Sequence, residues 1–156
     1  FVVYALLLFE LLTKTELNVN SGYNLVPFTE IMRYDFGTEG FYLNVLGNIL
    51  IFIPFGYFVS SYIKAKKVSH ILIVSIITSF TVEFVQHYIG RSFDVDDILL
   101  NTIGSICGFL LYIGFSAIKQ HLPSIFKSDL FYNILCILLC VVAVWYYLGI
   151  MGIHLF

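Results

Sequence analysis

From Phe41 to Ile63 the chain carries no charged side chain. The same is true from Ile98 to Ile118 and from Leu130 to Ile153, and Val68 to Ile89 holds Glu83 as its one acid. At about 1.5 Å per helical residue, each stretch is long enough to cross the ~30 Å hydrocarbon core of a bilayer. No water satisfies a backbone amide there, so a spanning chain must close its own hydrogen bonds as helix. Composition agrees: 60% of the 156 residues are hydrophobic, 12% are charged and the mean hydropathy is +0.94. A soluble domain of this size has too much surface to hide that apolar fraction. Soluble enzymes, nucleic-acid binders and disordered chains are therefore excluded. A shorter apolar stretch, Phe1 to about Leu12, reads as the outer end of a helix whose start is missing. The expected fold is all-α: a polytopic transmembrane bundle of about five helices, forming one domain over residues 1–156 with its fifth helix at about 130–153.

The basic residues set the expected direction. Lys64, Lys66 and Lys67 lie between the second and third spans, and Lys119 and Lys127 between the fourth and fifth. Lys14, Arg33 and Arg91 are scattered among most of the acids on the other connections. The positive-inside rule places the lysine loops in the cytoplasm of a multi-pass membrane protein. Thr13–Gly40 and Gly90–Asp96 then face outward. The first of these is long for a connection, and such loops tend to be functional or disordered. Within it, Glu30–Tyr34 fits a short helix lying on the membrane surface. Cys107, Cys136 and Cys140 all fall in apolar stretches and read as packed thiols.

Polar side chains inside a bilayer are costly and need a partner, water or a purpose. Here they are Asn44 and Asn48 on the second span, Glu83, Gln86 and His87 on the third, and Asn101 on the fourth. Counting from the helix ends sets Asn48 and Glu83 about 10 Å, and Asn101 about 6 Å, below the outer boundary. Agreement in depth among three helices predicts one outward-facing cavity. Glu83, Gln86 and His87 share a face that Ser75 and Ser79 continue inward, and Asp97, Asn101, Gly104, Ser105 and Gly108 make an equivalent stripe. Asn44, Gly47 and Asn48 are expected to share a face of the second span. Gly104-x-x-x-Gly108 permits close helix approach, and Pro54 is expected to kink the inner half of its helix.

Glu83, Asp94, Asp96 and Asp97 are set against Arg91. The excess of acid calls for a bound cation, a basic ligand group, or help from Arg33 or Lys14. Structural readings stand beside the functional one. Asp97, and less so Asp94, suits a helix cap; Glu83 suits a buried pair with Arg91; the serines suit small packing residues. Glu83-x-x-x-His87 with Asp94 and Asp97 resembles one face of a metal site. No two-His spacing, phosphate loop or Ser/Cys-His pair accompanies it, so no metal ligand is assigned and a divalent cation is left open. Glu83 and Asp94 are the candidate catalytic bases if the site performs chemistry.

Several blocks stand in order along the chain: Asn24-Leu25-Val26-Pro27-Phe28, then Asn44-x-x-x-Asn48-x-x-x-Phe52-Ile53-Pro54-Phe55-Gly56, then Glu83-x-x-Gln86, and last Gly90-Arg91-x-x-Asp94-x-x-Asp97-x-x-x-Asn101-x-x-Gly104-x-x-x-Gly108. As a set they resemble the VanZ-like family. The resemblance covers a motif core of about residues 24–112, and His87 does not belong to it. It implies a polytopic protein of the bacterial cytoplasmic membrane, linked in some members to teicoplanin resistance. It carries no settled reaction. The motif residues matched here include Asn24, Asn48, Glu83, Gln86, Arg91, Asp94, Asp97 and Asn101, which form the expected ligand-binding set. Besides the bilayer, the expected partner is a lipoglycopeptide or a lipid-linked peptidoglycan precursor. The alternative is an intramembrane enzyme, a hydrolase or transferase, acting on a lipid-linked envelope substrate. No nucleic acid is expected.

Overall fold

The computed structural model of the chain describes residues 22–119, 121, 123 and 128–150, with backbone alone at 129, 139, 140 and 143–150. The expected first helix, Phe1 to Leu12, lies outside these residues, as do Lys14 and Lys127. A two-residue strand, β1 (Tyr23–Asn24), leads to a short helix, α1 (Thr29–Arg33). A π-helical turn over Phe41–Leu46 then runs directly into α2 (Gly47–Ile63). Next come α3 (Val68–Tyr88), β2 (Phe93–Asp94), α4 (Val95–Lys119) and α5 (Asp129–Ile150).

Among the described residues three helices are long and apolar enough to cross a membrane: Phe41–Ile63, Val68–Tyr88 and Val95–Lys119. The first coincides with the stretch marked by its lack of charge. The last begins three residues earlier than its apolar run, so Asp96 and Asp97 belong to its first turn. An acidic residue there meets the positive end of the helix dipole, which lets the helix start before its apolar stretch does.

Close backbone approach holds α2 to α4. A methyl group on Gly56 would meet the backbone of Ser105, one on Gly104 the carbonyl of Ile49, and one on Gly108 the carbonyl of Ile53 and the amide of Tyr57. The Gly104-x-x-x-Gly108 expectation is met, with Gly56 completing the seam from the other helix. α2 continues as helix through the buried Pro54. Towards the lysine end, Tyr57 and Phe58 pack with Tyr132 and Cys136 of α5. The large apolar side chains left exposed on α3, such as Ile73, Ile77, Phe80 and Phe84, form an outward stripe suited to lipid.

The two connections between spans differ. At the lysine end Lys64 takes a left-handed conformation (φ 50°), and the Ala65 amide donates to the Ser60 carbonyl at 2.9 Å, a plain tight turn as expected. At the acidic end Gly90 (φ 99°) follows α3, and the Arg91 amide donates back to the Gln86 carbonyl at 3.0 Å. That is a glycine-closed helix end, whose backbone conformation an L side chain resists. β2 follows it and pairs in parallel with β1, Tyr23 beside Phe93 and Asn24 beside Asp94.

Candidate functional site

Asn48, Glu83, Asp97 and Asn101 belong to one end of the bundle because the helices alternate in direction. Asn48 lies near the start of α2, Glu83 near the end of α3, and Asp97 and Asn101 near the start of α4. Asn48, Glu83 and Asp97 meet there. Asn48 Nδ2 donates to Asp97 Oδ1. The Glu83 and Asp97 carboxyls adjoin, and the Arg91 guanidinium acts on both. The agreement in depth expected from residue counting is thus observed as contact.

Below this pair the α3–α4 interface is a ladder. Asn101 Nδ2 donates to Ser79 Oγ at 2.8 Å, and Ser75 Oγ donates to Ser105 Oγ at 2.7 Å. Each rung steps four residues down α3 and four along α4, because residues at that spacing share a helix face. The rungs reach about 12 Å along the helices from Glu83 to Ser75. Ile71 of α3 and Phe109 of α4 close the apolar floor one turn further on. The serines, expected as small packing residues, are hydrogen-bonded rungs. Glu83 is 1% exposed, Gln86 and Asn101 are 2% exposed, and Ser75, Ser79 and Ser105 are fully buried. The amide of Asn101 is half used: its Oδ1 is buried and without a hydrogen-bond partner.

The acidic connection is built by its own carboxylates. Asp94 Oδ1 accepts from the Asp96 amide at 2.8 Å, which makes Asp94 the N-cap of α4. The same oxygen accepts from Asn24 Nδ2 at 3.1 Å, and the Asp94 amide donates to Glu83 Oε2 at 3.0 Å. The capping expectation, weighted towards Asp97, is therefore reversed: Asp97 lies past the cap and receives Asn48 instead. Burial pushes the Asp94 carboxyl above its ordinary range, opposed by the bonds from the Asp96 amide and Asn24.

Asp96 was legible only as one more negative charge. It is fully buried and accepts from the amides of Phe28 at 2.6 Å, Glu30 at 2.8 Å and Ile31 at 3.3 Å. It anchors the Asn24–Phe28 block, in which Phe28 adopts a left-handed conformation (φ 70°), to the start of α4. The signal for this role was the side-by-side Asp96-Asp97, one turned to each neighbouring element. The short helix expected at Glu30–Tyr34 forms at Thr29–Arg33.

Other candidates fall outside the cluster. Asn44 is exposed, and its Nδ2 donates to the Gly40 carbonyl at 3.0 Å. The π-helical turn inserts extra backbone between Asn44 and Asn48, so the face expected for Asn44, Gly47 and Asn48 is broken. Arg33 is bound to Glu30 at 2.9 Å, which raises its pKa and keeps it from serving the buried acids. His87 Nδ1 donates to the Arg91 carbonyl at 3.2 Å, and its ring lies 4.4 Å from that of Tyr23. Among the described residues no group of three or more His, Cys, Asp or Glu side chains is arranged to hold a metal ion. The arrangement gathers carboxyl, amide and hydroxyl groups at one end of the bundle, with the charge of a guanidinium acting on the carboxyl pair.

A family model described as VanZ/LLP1 matches residues 1–119 of the chain. Protein VanZ of Enterococcus faecium is 30% identical over 125 residues, which span 76% of this chain and 69% of that protein. No solved structure matches.

Proposed function

The chain belongs to the VanZ/LLP1 family, and from that premise we propose that it serves teicoplanin resistance by binding an amphipathic ligand at the acidic end of its bundle. The ligand is the lipoglycopeptide itself or a lipid-linked cell-wall precursor, held so that less drug acts productively at the membrane. The observation that carries this reading is the meeting of Glu83, Asp97 and Arg91 from α3, α4 and the turn between them, with Asn101 bonded to Ser79 one turn below. Ionisable groups at that depth are expensive, and helix pairing alone needs fewer of them. In this reading Glu83, Gln86 and Asn101 line the floor and Arg91 stands at the rim. Asn24 and Asn48 hold Asp94 and Asp97 in place. The lysine turns face the cytoplasm, and the acidic end faces outward, where the drug and the precursors are found.

The test is teicoplanin susceptibility in cells that the parent protein protects. Glu83→Gln and Arg91→Gln should each abolish protection at unchanged membrane levels, and a cysteine at Lys66 should resist labelling by an impermeant thiol reagent from outside. Full protection by both variants, or outside labelling at position 66, overturns the reading.

A further inference from the structure

We infer that the site recognises an ammonium group carried by an amphipathic ligand, and not a phosphate. The inference rests on the binding role proposed above and narrows it to one ligand chemistry.

A phosphate held at the start of a helix is gripped by free backbone N–H groups. Here several such groups are already taken by the protein's own carboxylates. The Asp94 amide donates to Glu83, and the Asp96 amide donates to Asp94. The amides of Phe28, Glu30 and Ile31, which turn towards the same place, donate to Asp96. The Arg91 guanidinium is the cationic donor at this place, and its charge already acts on Glu83 and Asp97; beyond it an incoming phosphate would meet acceptor oxygens where it needs donors.

What the site offers is the opposite. Asn101 Oδ1 is buried in a residue 2% exposed, and no protein donor reaches it. The amide is held by its other end, through Nδ2 to Ser79 Oγ. One turn above, about 6 Å along the helix, lie the adjoining carboxyls of Glu83 and Asp97. A buried acceptor without a partner calls for a donor from outside the fold. An ammonium has three N–H donors, which match one carboxyl oxygen each from Glu83 and Asp97 and the Asn101 carbonyl. The bonded Ser75–Ser105 pair and the apolar Ile71 and Phe109 below leave nothing for a longer polar group to reach. Such an ammonium comes either from a lipid headgroup or from an amine on an amphipathic drug, and the two share this chemistry.

The experiment uses the full chain in maltoside micelles at pH 7, with dodecylamine, dodecyl phosphate and dodecanol added at equal concentrations. Dodecylamine is protonated at this pH and should raise the midpoint of thermal unfolding in a saturable way. The phosphate and the alcohol should leave it unchanged. Asn101→Leu should weaken the amine response at least tenfold. Asn101→Asp, which presents acceptors at both positions, should keep or strengthen it. A saturable response to phosphatidylethanolamine that teicoplanin does not displace assigns the amine to a lipid, and displacement by teicoplanin assigns it to the drug. Absence of an amine response in the parent protein, or a response to dodecyl phosphate that Asn101→Leu removes, overturns the inference. Teicoplanin protection by the Asn101→Leu variant separates the two failures. If protection is lost while amines do not bind, only the ligand class is wrong, and if protection persists the site itself is wrong.

Discussion

Asp96, wholly buried at the start of α4, accepts the backbone amide of Phe28 at 2.6 Å across 68 residues of sequence. With the amides of Glu30 and Ile31 on its other oxygen, it ties the segment before α2 to the acidic end of the bundle. Replacing it with alanine leaves three amides to find other partners. Asp96→Ala should cost about 2–4 kcal/mol, since hydrogen bonds to a charged group are worth more than neutral ones and buried donors left unpaired are costly. Asp96→Asn should cost less. Limited proteolysis should show new cleavage within residues 22–36 in the alanine variant alone.

The α2–α4 seam predicts a sharp contrast between glycines. Gly104→Ala and Gly56→Ala each drive a methyl group into backbone, which cannot yield as a side chain does. Each should destabilise the protein by about 1–3 kcal/mol or more, read as a fall in the thermal midpoint in detergent. Gly114→Ala, on the same helix with nothing near its missing methyl, should be neutral or slightly stabilising.

The lowest rung of the ladder is measurable by a double-mutant cycle. Ser75→Ala removes the bond to Ser105, while Ser105 keeps its bond to the Asn101 carbonyl at 2.9 Å. The coupling energy between Ser75→Ala and Ser105→Ala should be about 0.5–1.5 kcal/mol, in the range of side-chain hydrogen bonds between membrane helices. A coupling near zero shows that the rung contributes no more than packing.

Asp94 gives the fold a pH signature. Its folded-state pKa lies above the ordinary value of 3.8, chiefly through burial. The folded state therefore holds this proton more tightly than the unfolded state does. The resulting penalty is absent below 3.8, grows as pH rises from there to the folded-state value, and is constant above it. Asp94→Asn keeps an acceptor for both the Asp96 amide and Asn24 and removes the titration. The variant's stability relative to the parent should rise across that window and level off above it, followed by thermal unfolding from pH 3.5 to 8.

The spans were legible because the bilayer imposes a crude requirement: no charge over a helix of fixed length. Phe41–Ile63 satisfies it to the residue. The two stripes of α3 and α4 were legible for a related reason, since helical periodicity alone puts Ser75, Ser79 and Glu83 on one face and Asp97, Asn101 and Ser105 on another. Counting residues from the helix ends then predicted that these faces lie at one depth. Which groups pair across the faces was not legible, because periodicity fixes an angle on each helix and leaves the partner's register free. The Asn101–Ser79 and Ser75–Ser105 bonds show the register that the folded chain adopts. Asn44 left the cluster because a π-helical turn changed the angle that regular counting assumed. Asp96 entered the anchoring network because a two-residue parallel pairing brought the Asn24–Phe28 block to α4, and strands that short leave no periodic trace. Local chemistry and the membrane therefore decided what the elements are, while long-range contacts decided which carboxylate caps, which anchors and which receives Asn48.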